Sequence, residues 1–323
     1  MIDLRIKYMK YLLIDFGASY IKSVVYDTYN DQYSNYTTTE SPLRSYSPIS
    51  KNYIIQELTK IIEGNPNIEF CAICSILGGK YIDDIYYSWK CSNIEGVKNQ
   101  ESCIIKDIFK PSLDTKIIGK ILNASILYPS TDTDCVIESA KLIQSQNILI
   151  NMGTGSQVIY IDELNNLKKH QYIPSGRSLN VFAKFFSELN INFFDHLCNL
   201  NLNDILSSTM QINLNIYPQA YQYNDGGLIS KIYETNFTFK NFISSVLRCY
   251  LQQYEKFLIE PNNQTILLSG GIPKKIKAIQ KYFVYKYPKS EVRLISNYID
   301  ETLIGLSYFI KKNNLQIQTL TKK

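Results

Sequence analysis

LLIDFGASYIKSVVYD (12–27) is the stretch on which the fold turns. Its apolar run ends at Asp15, breaks at Gly17-Ala18-Ser19 and resumes as a second apolar run. That pattern reads as two buried strands joined by a tight turn whose backbone N–H groups point outward. Two later segments follow in a fixed order. ILINMGTGSQVIYI (148–161) again sets a polar residue before a Gly-rich turn between two apolar runs, and ILLSGGIPKK (266–275) ends an apolar run at Gly270-Gly271 ahead of a helical pattern. Two strand–turn–strand loops followed by a Gly-Gly turn suit a nucleotide cradled between two lobes. The order carries more information than any one segment.

Working outward from 12–27, a hairpin is predicted at 11–16 and 20–26, with 33–39 as an edge strand. Helical spacing covers 50–63, a strand 68–76, and a Tyr-rich irregular stretch 80–100. Helices are predicted at 100–109 and 114–122, separated by Pro111, and at 134–145 after Thr131, Asp132 and Thr133. A second lobe opens near 147 with strands 148–151 and 156–162, so that NMGTGS echoes DFGAS as a weak internal duplication. Helices at 177–188, 194–206 and 238–259 follow, then strand 265–269, helix 274–286, strand 291–295 and helix 300–312. The expected organisation is an α/β chain of two lobes, 1–146 and 147–323, with no low-complexity linker.

At 323 residues, 45% hydrophobic and 20% charged, the chain has ample material for two globular domains sharing a cleft. A net charge of +5, with basic residues scattered apart from Lys274, Lys275, Lys277 and Lys322–Lys323, argues against a nucleic-acid partner. The abundance of Ile, Asn, Lys and Tyr, including 26 Tyr, matches A/T-rich codon usage rather than a stacking surface. The opening MIDLRIKYMKYLLIDFG runs into the first strand without a cleavable small-residue site, and no apolar run reaches bilayer-spanning length. Seven cysteines at irregular spacing (71, 74, 91, 103, 135, 198, 249) suit reduced thiols rather than a disulfide framework. The expectation is a cytoplasmic protein without a membrane partner. Cys71-x-x-Cys74 lies inside the strand-like IEFCAICSIL with no second pair, which favours buried core over a metal site.

The chemistry starts at Asp15. A carboxylate closing a buried strand ahead of Gly17 faces any phosphate held by the turn, and two like charges need a cation between them, for which hard Mg²⁺ with oxygen ligands serves. The competing explanation is an Asx-turn residue that caps the hairpin. Gly153-Thr154-Gly155-Ser156 offers close backbone approach and two hydroxyls for phosphate oxygens, against an ordinary hairpin turn. Ser269-Gly270-Gly271 precedes a helix whose N-terminus can face a nucleotide, against a plain strand-to-helix turn.

These segments resemble the actin-like ATPase superfamily of sugar kinases, actin and the 70-kDa chaperones, and within it the FGGY carbohydrate kinases, especially the sedoheptulokinase-like branch. LLIDFGASYIKSVVYD is similar to the family's first phosphate motif and NMGTGSQ to its second. YIPSGRSLN (172–180) resembles the segment after the second motif, and GGLISKIYETNFTFKNFISSVLRCYLQQYEKFL (226–258) the glycine-rich turn and long helix ahead of the adenosine motif. LLSGGIPKKIKAI and DETLIGLSYF (300–309) resemble the adenosine segment and the closing helix. The resemblance implies a two-lobed, ribonuclease H-like fold with ATP and Mg²⁺ in the cleft. It implies cofactor contacts from Asp15, Gly17, Ala18, Ser19, Lys22, Gly153, Thr154, Gly155, Ser156, Gly270, Gly271 and Lys274, with Asp15 at the metal. It also implies a general base at the start of the helix before the second motif, where TDTDCVIESAK offers Asp132 and Asp134; Asp132 aligns better. Both aspartates also suit helix capping.

In the sugar-holding part the chain departs from the family. Family kinases follow a Trp with Asp and Arg that grip hydroxyls, whereas Trp89 is followed by Lys90-Cys91-Ser92-Asn93. Gly78-Gly79 stands where the family has a sugar-contacting turn, so Gly78, Gly79 and Trp89 are the candidate substrate residues. The leading expectation is an ATP-dependent ketose or polyol kinase, with a homodimer as one allowed assembly. The alternatives are a non-catalytic or regulatory actin-like ATP-binding protein that has lost the sugar site, and the ATPase activator of a radical dehydratase. The scattered cysteines argue against the activator.

Overall fold

The computed structural model describes residues 9–17, 19–41, 51–75, 79–82, 85–88, 117–127, 131–142, 147–153, 155–171, 173–216, 226–258 and 264–320. The chain divides into two compact units, Met1–Ser139 with Tyr298–Lys323, and Ala140–Asn297.

In the first unit, β1 (Lys10–Phe16) and β2 (Tyr20–Asp27) form an antiparallel hairpin in which Asp15 stands opposite Lys22, and β3 (Gln32–Glu40) adds the antiparallel edge. β4 (Phe70–Ser75) runs parallel to β1 on its other side. The short pair β5 (Gly79–Ile82) and β6 (Ile85–Ser88) forms a separate hairpin within the stretch expected to be irregular. β7 (Ile117–Ile121) and β8 (Ala124–Leu127) complete the main sheet, giving the order β3-β2-β1-β4-β8-β7.

The helix expected at 114–122 is therefore strand over 117–121. Three of its five residues, Ile117, Ile118 and Ile121, are β-branched and lose χ1 freedom in a helix. Leu122 takes a left-handed φ of 52°, which lets Leu122-Asn123 turn the chain as a two-residue hairpin with Ile121 facing Ala124. The helix expected at 100–109 lies outside the described residues.

Alternation along β1 sends Tyr11 and Leu13 to one face, where they pack with Val24, Tyr26, Ala72 and Cys74. The same core takes Cys135 from the helix Asp132–Ser139 and Leu303, Leu306 and Ile310 from the C-terminal helix Glu301–Leu320. The C-terminal helix is further tied to the sheet by Tyr33 Oη–Ser307 Oγ (2.7 Å) and Lys311–Asp31 (2.7 Å). This helix, grouped by sequence with 147–323, packs in the first unit because Leu303, Leu306 and Ile310 present a stripe at helical spacing to that sheet. Cys71 and Cys74 are both fully buried on β4, three residues apart, so strand alternation turns them to opposite faces and the pair cannot converge on one ligand.

The second unit repeats the plan. β9 (Ile148–Met152) and β10 (Ser156–Ile161) form an antiparallel hairpin, with β11 (Leu167–His170) antiparallel at the edge. A small pair, β12 (Gln211–Asn213) and β13 (Leu228–Ser230), stands apart. β14 (Thr265–Ser269) runs parallel to β9 and β15 (Glu291–Leu294) parallel to β14, in the order β11-β10-β9-β14-β15. Its directions match those of β3-β2-β1-β4-β8 strand for strand.

The helix Phe239–Glu255 buries Ile243, Val246, Leu247, Tyr250, Leu251 and Tyr254, an i, i+3, i+4, i+7 stripe that closes the core around Ile150, Met152 and Val158. The single helix expected at 194–206 is two, Phe193–Cys198 and Leu202–Ser207. Asn201 and Asp204 form a reciprocal capping box that starts the second afresh. Helix 274–286 is likewise split into Gly271–Lys275 and Ala278–Lys286 at Ile276. Among the described residues no helix is long and apolar enough to cross a membrane.

Candidate functional site

In both units the candidate residues collect beyond the carboxyl ends of central strands that run parallel to a neighbour. Asp15 and Gly17 end β1, Asp132 follows β8, Gly153 ends β9 and Gly270 ends β14. Those ends are where open α/β sheets present backbone and side chains to ligands.

Asp15 continues the Tyr11–Leu13 face of β1, so its carboxylate is carried into the buried side of the sheet, where it is 5% exposed. The register that sets Lys22 opposite it brings Lys22 Nζ to 3.4 Å from Asp15 Oδ2. The same ammonium lies 2.6 Å from Asp300 Oδ2, at the start of the C-terminal helix. Asp15 Oδ1 is buried with no hydrogen-bond partner.

Burial pushes the Asp15 carboxyl up to about 7; Lys22 opposes the rise, while Asp300 and Asp132 add to it. For Lys22, burial works against the charged form, but Asp15 and Asp300 outweigh it and hold the ammonium above its ordinary value. A buried carboxylate with an open oxygen beside two further carboxylates is a site that gains from an added cation.

Thr131 caps the next helix: its Oγ1 accepts from Asp134 N (3.1 Å) and its carbonyl from Cys135 N (3.0 Å). Asp132 Oδ1 accepts from Thr133 N at 2.7 Å. Asp132 is half-buried and adds its charge to the Asp15 cluster, whereas Asp134 is exposed. Behind them Cys74 and Cys135 are buried, and burial pushes both thiols up, away from the reactive thiolate.

Gly17 N donates to Tyr20 O (3.1 Å) and closes the first turn, and the carbonyl of half-buried Ser19 accepts from Ser41 N (3.0 Å). In the second unit, Gly153 N donates to Gly155 O (3.0 Å), and Gly153 O in turn accepts from Gly176 N (2.9 Å) at the start of the helix Gly176–Ser187. Ser175 caps that helix, accepting from Arg177 N at 3.2 Å. Gly270 has φ +96°, and a Cβ there would overlap the Met152 carbonyl, so only glycine lets β14 turn this close to the end of β9. Gly155 and Gly271 border open space. Three backbone turns thus meet at one end of the second sheet, with small residues that leave the backbone open to close approach.

Ser156 is turned inward: its hydroxyl is 2.6 Å from Tyr254 Oη, which donates to Tyr250 Oη at 2.7 Å. Lys274 is half-buried on the helix after Gly271. Gly79 opens β5, paired with Ser88. Ala18, Gly78, Trp89 and Thr154 lie outside the described residues. Asp300, Ser175 and Gly176 were not singled out from sequence. Asp300 carries the Asp-then-helix pattern of an N-cap and Ser175-Gly176 the Ser-then-helix one, but neither pattern points to the residue it meets in the fold.

Neither a protein-family model nor a curated protein matches the sequence. Solved structures do match at the level of the fold. A gluconate kinase from Lactobacillus acidophilus has a TM-score of 0.63 at 11% identity, covering 95% of this chain and 89% of that one. A xylulose kinase from the same organism has 0.62 at 11% identity, covering 94% and 89%. Component A of the (R)-2-hydroxyglutaryl-CoA dehydratase of Acidaminococcus fermentans has 0.50 at 12% identity, covering 94% and 99%. The fold is that of the actin-like ATPases. At these identities the likeness extends to the fold alone.

Proposed function

We propose that this chain is an ATP- and Mg²⁺-dependent kinase that transfers a phosphoryl group to a hydroxyl of a ketose or related polyol. The observation that carries the reading is the cluster of Asp15, Lys22 and Asp132 at the carboxyl ends of the first sheet, in a fold shared with two sugar kinases.

Mg²⁺ is held by one or two carboxylates and the phosphates of its nucleotide rather than by an all-protein cage. Asp15 fits that demand, because one of its buried oxygens has no partner. Among the described residues no three acidic, His or Cys side chains converge on one point, so the remaining ligands would be phosphate oxygens and water. Bound there, the ion supplies charge neutralisation to the transferring phosphoryl group.

Lys22 supplies a second, permanently protonated cation beside it. Gly153, Gly155, Gly270 and Gly271 are assigned to the nucleotide as surfaces of close backbone approach. Asp132, near the first turn of its helix and in the charge environment of Asp15, is assigned as the base that accepts the acceptor hydroxyl's proton. Phosphoryl transfer needs little more than positioning, charge neutralisation and one proton acceptor.

The test is ADP release from Mg·ATP across a panel of ketoses and polyols. At least one should accelerate release, and Asp132→Asn should lower kcat about 10²–10⁴-fold with nucleotide affinity retained. Parental turnover by that variant removes the base assignment. Firm ATP binding with no sugar phosphorylated removes the kinase reading in favour of a nucleotide-dependent switch protein.

A further inference from the structure

Register alone would leave Lys22 with Asp15 as its nearest partner, since the two residues face each other across the β1–β2 hairpin. Opposite charges directly across a ladder attract one another, and an unhindered ammonium–carboxylate pair closes to about 2.7–2.9 Å. Here the short contact goes elsewhere: Lys22 Nζ is 2.6 Å from Asp300 Oδ2 and only 3.4 Å from Asp15 Oδ2.

Asp300 wins because it is anchored. Its Oδ1 accepts from Thr302 N (3.1 Å) and its carbonyl from Ile304 N (3.1 Å), so it is the N-cap of the C-terminal helix. That helix is seated in the core through Leu303, Leu306 and Ile310. One oxygen of Asp300 is spent on the cap and the other is aimed at Lys22. The result is an uneven division of one ammonium, in which Asp15 keeps a loose contact on Oδ2 and an unpartnered Oδ1.

We infer that Asp300 is a positioning residue for the nucleotide site: it draws the Lys22 ammonium off Asp15, leaving Asp15 open to the divalent cation and Lys22 fixed beside it. This rests on the ATP–Mg²⁺ reading above. Without the Asp300 charge, Lys22 collapses onto Asp15 and competes with the cation for the same oxygens.

The experiment titrates ADP into the full chain at a series of Mg²⁺ concentrations and, separately, in chelator. Asp300→Asn retains a capping oxygen and loses the charge, because Asn and Asp cap about equally well. The Mg²⁺ concentration giving half-maximal ADP binding should rise about tenfold or more. Chelator-phase binding and the thermal midpoint should stay at the parental values. Asp300→Glu keeps the charge on a poor cap, so it should recover much of the Mg²⁺ dependence while lowering the thermal midpoint, which separates positioning from capping. Parental Mg²⁺ dependence in a folded Asn variant overturns the inference and leaves the ATP reading standing. If Asn does not fold, a Glu variant with the thermal loss and no Mg²⁺ recovery overturns it equally. Absence of Mg²⁺-dependent ADP binding in the parent overturns the ATP reading, and the inference with it.

Discussion

Asp15 is one residue from the end of a strand buried on both faces, and its carboxyl is held near pH 7 chiefly by that burial. Because the folded value lies above the ordinary 3.8, the folded protein binds this proton more tightly than the unfolded chain. Its contribution to stability is therefore full below about pH 4 and fades as pH rises through about 7. Urea denaturation of the nucleotide-free protein should show stability falling from pH 5 to pH 8. Asp15→Asn, uncharged and nearly isosteric, should flatten that fall and exceed the parent at pH 8. A parental slope in the variant would assign the dependence to other groups. Asp15 and Lys22 were legible from sequence because they stand seven positions apart across one tight turn. Asp300 was not, because 278 residues separate it from Lys22 and only packing brings it there.

At the scale of elements, the helix that begins at Asp132 is met by a residue without a side chain. A Cβ on Gly305 would overlap the carbonyl of Cys135 and crowd its Cα, so the C-terminal helix and the Asp132 helix touch backbone to backbone. Backbone cannot yield as a side-chain tip does. Gly305→Ala should cost about 3 kcal/mol or more, the upper range for overpacking, in chemical denaturation. Under the proposed kinase function it should also lower turnover, by shifting Asp132, the first residue of the neighbouring helix. Stability within 0.5 kcal/mol of the parent, about the scatter of surface substitutions, would show that the helices can separate freely. Elements with a local stop signal were predictable: β1–β2, β9–β10 and the Phe239–Glu255 helix fall within a few residues of expectation. Where apolar residues were dense but aperiodic, as in Ile117–Ile121, helix and strand patterns coincide, and the hairpin partner decided.

Across the whole molecule, the chain builds one sheet, then a second of the same order, and returns its last helix to the first. The first unit is thus discontinuous in sequence, completed by Tyr298–Lys323. A chain ended at Asn297 would lose Leu303, Leu306 and Ile310 from the first core, together with the Asp300 anchor on Lys22. Limited proteolysis of that truncation should digest the segment before Ser139 while a fragment spanning 140–297 persists, because among the described residues the second core draws on none beyond 297. Equal resistance of both segments would contradict the packing described.

The sequence by itself determined the turns. Asp15-x-Gly17, Gly153-x-Gly155 and Gly270-Gly271 each specify backbone geometry through the residues on the spot, since φ preferences and strand alternation act over a few residues. The echo of DFGAS in NMGTGS marked a weak internal duplication, and the two hairpins it names open two sheets of one plan. Only the tertiary structure decided which charges meet, which unit owns the last helix, and that the Ser156 hydroxyl serves Tyr254 in the core. Those outcomes depend on apolar faces finding each other across hundreds of residues. A carboxylate such as Asp300 shows nothing of its future partner until that burial is complete.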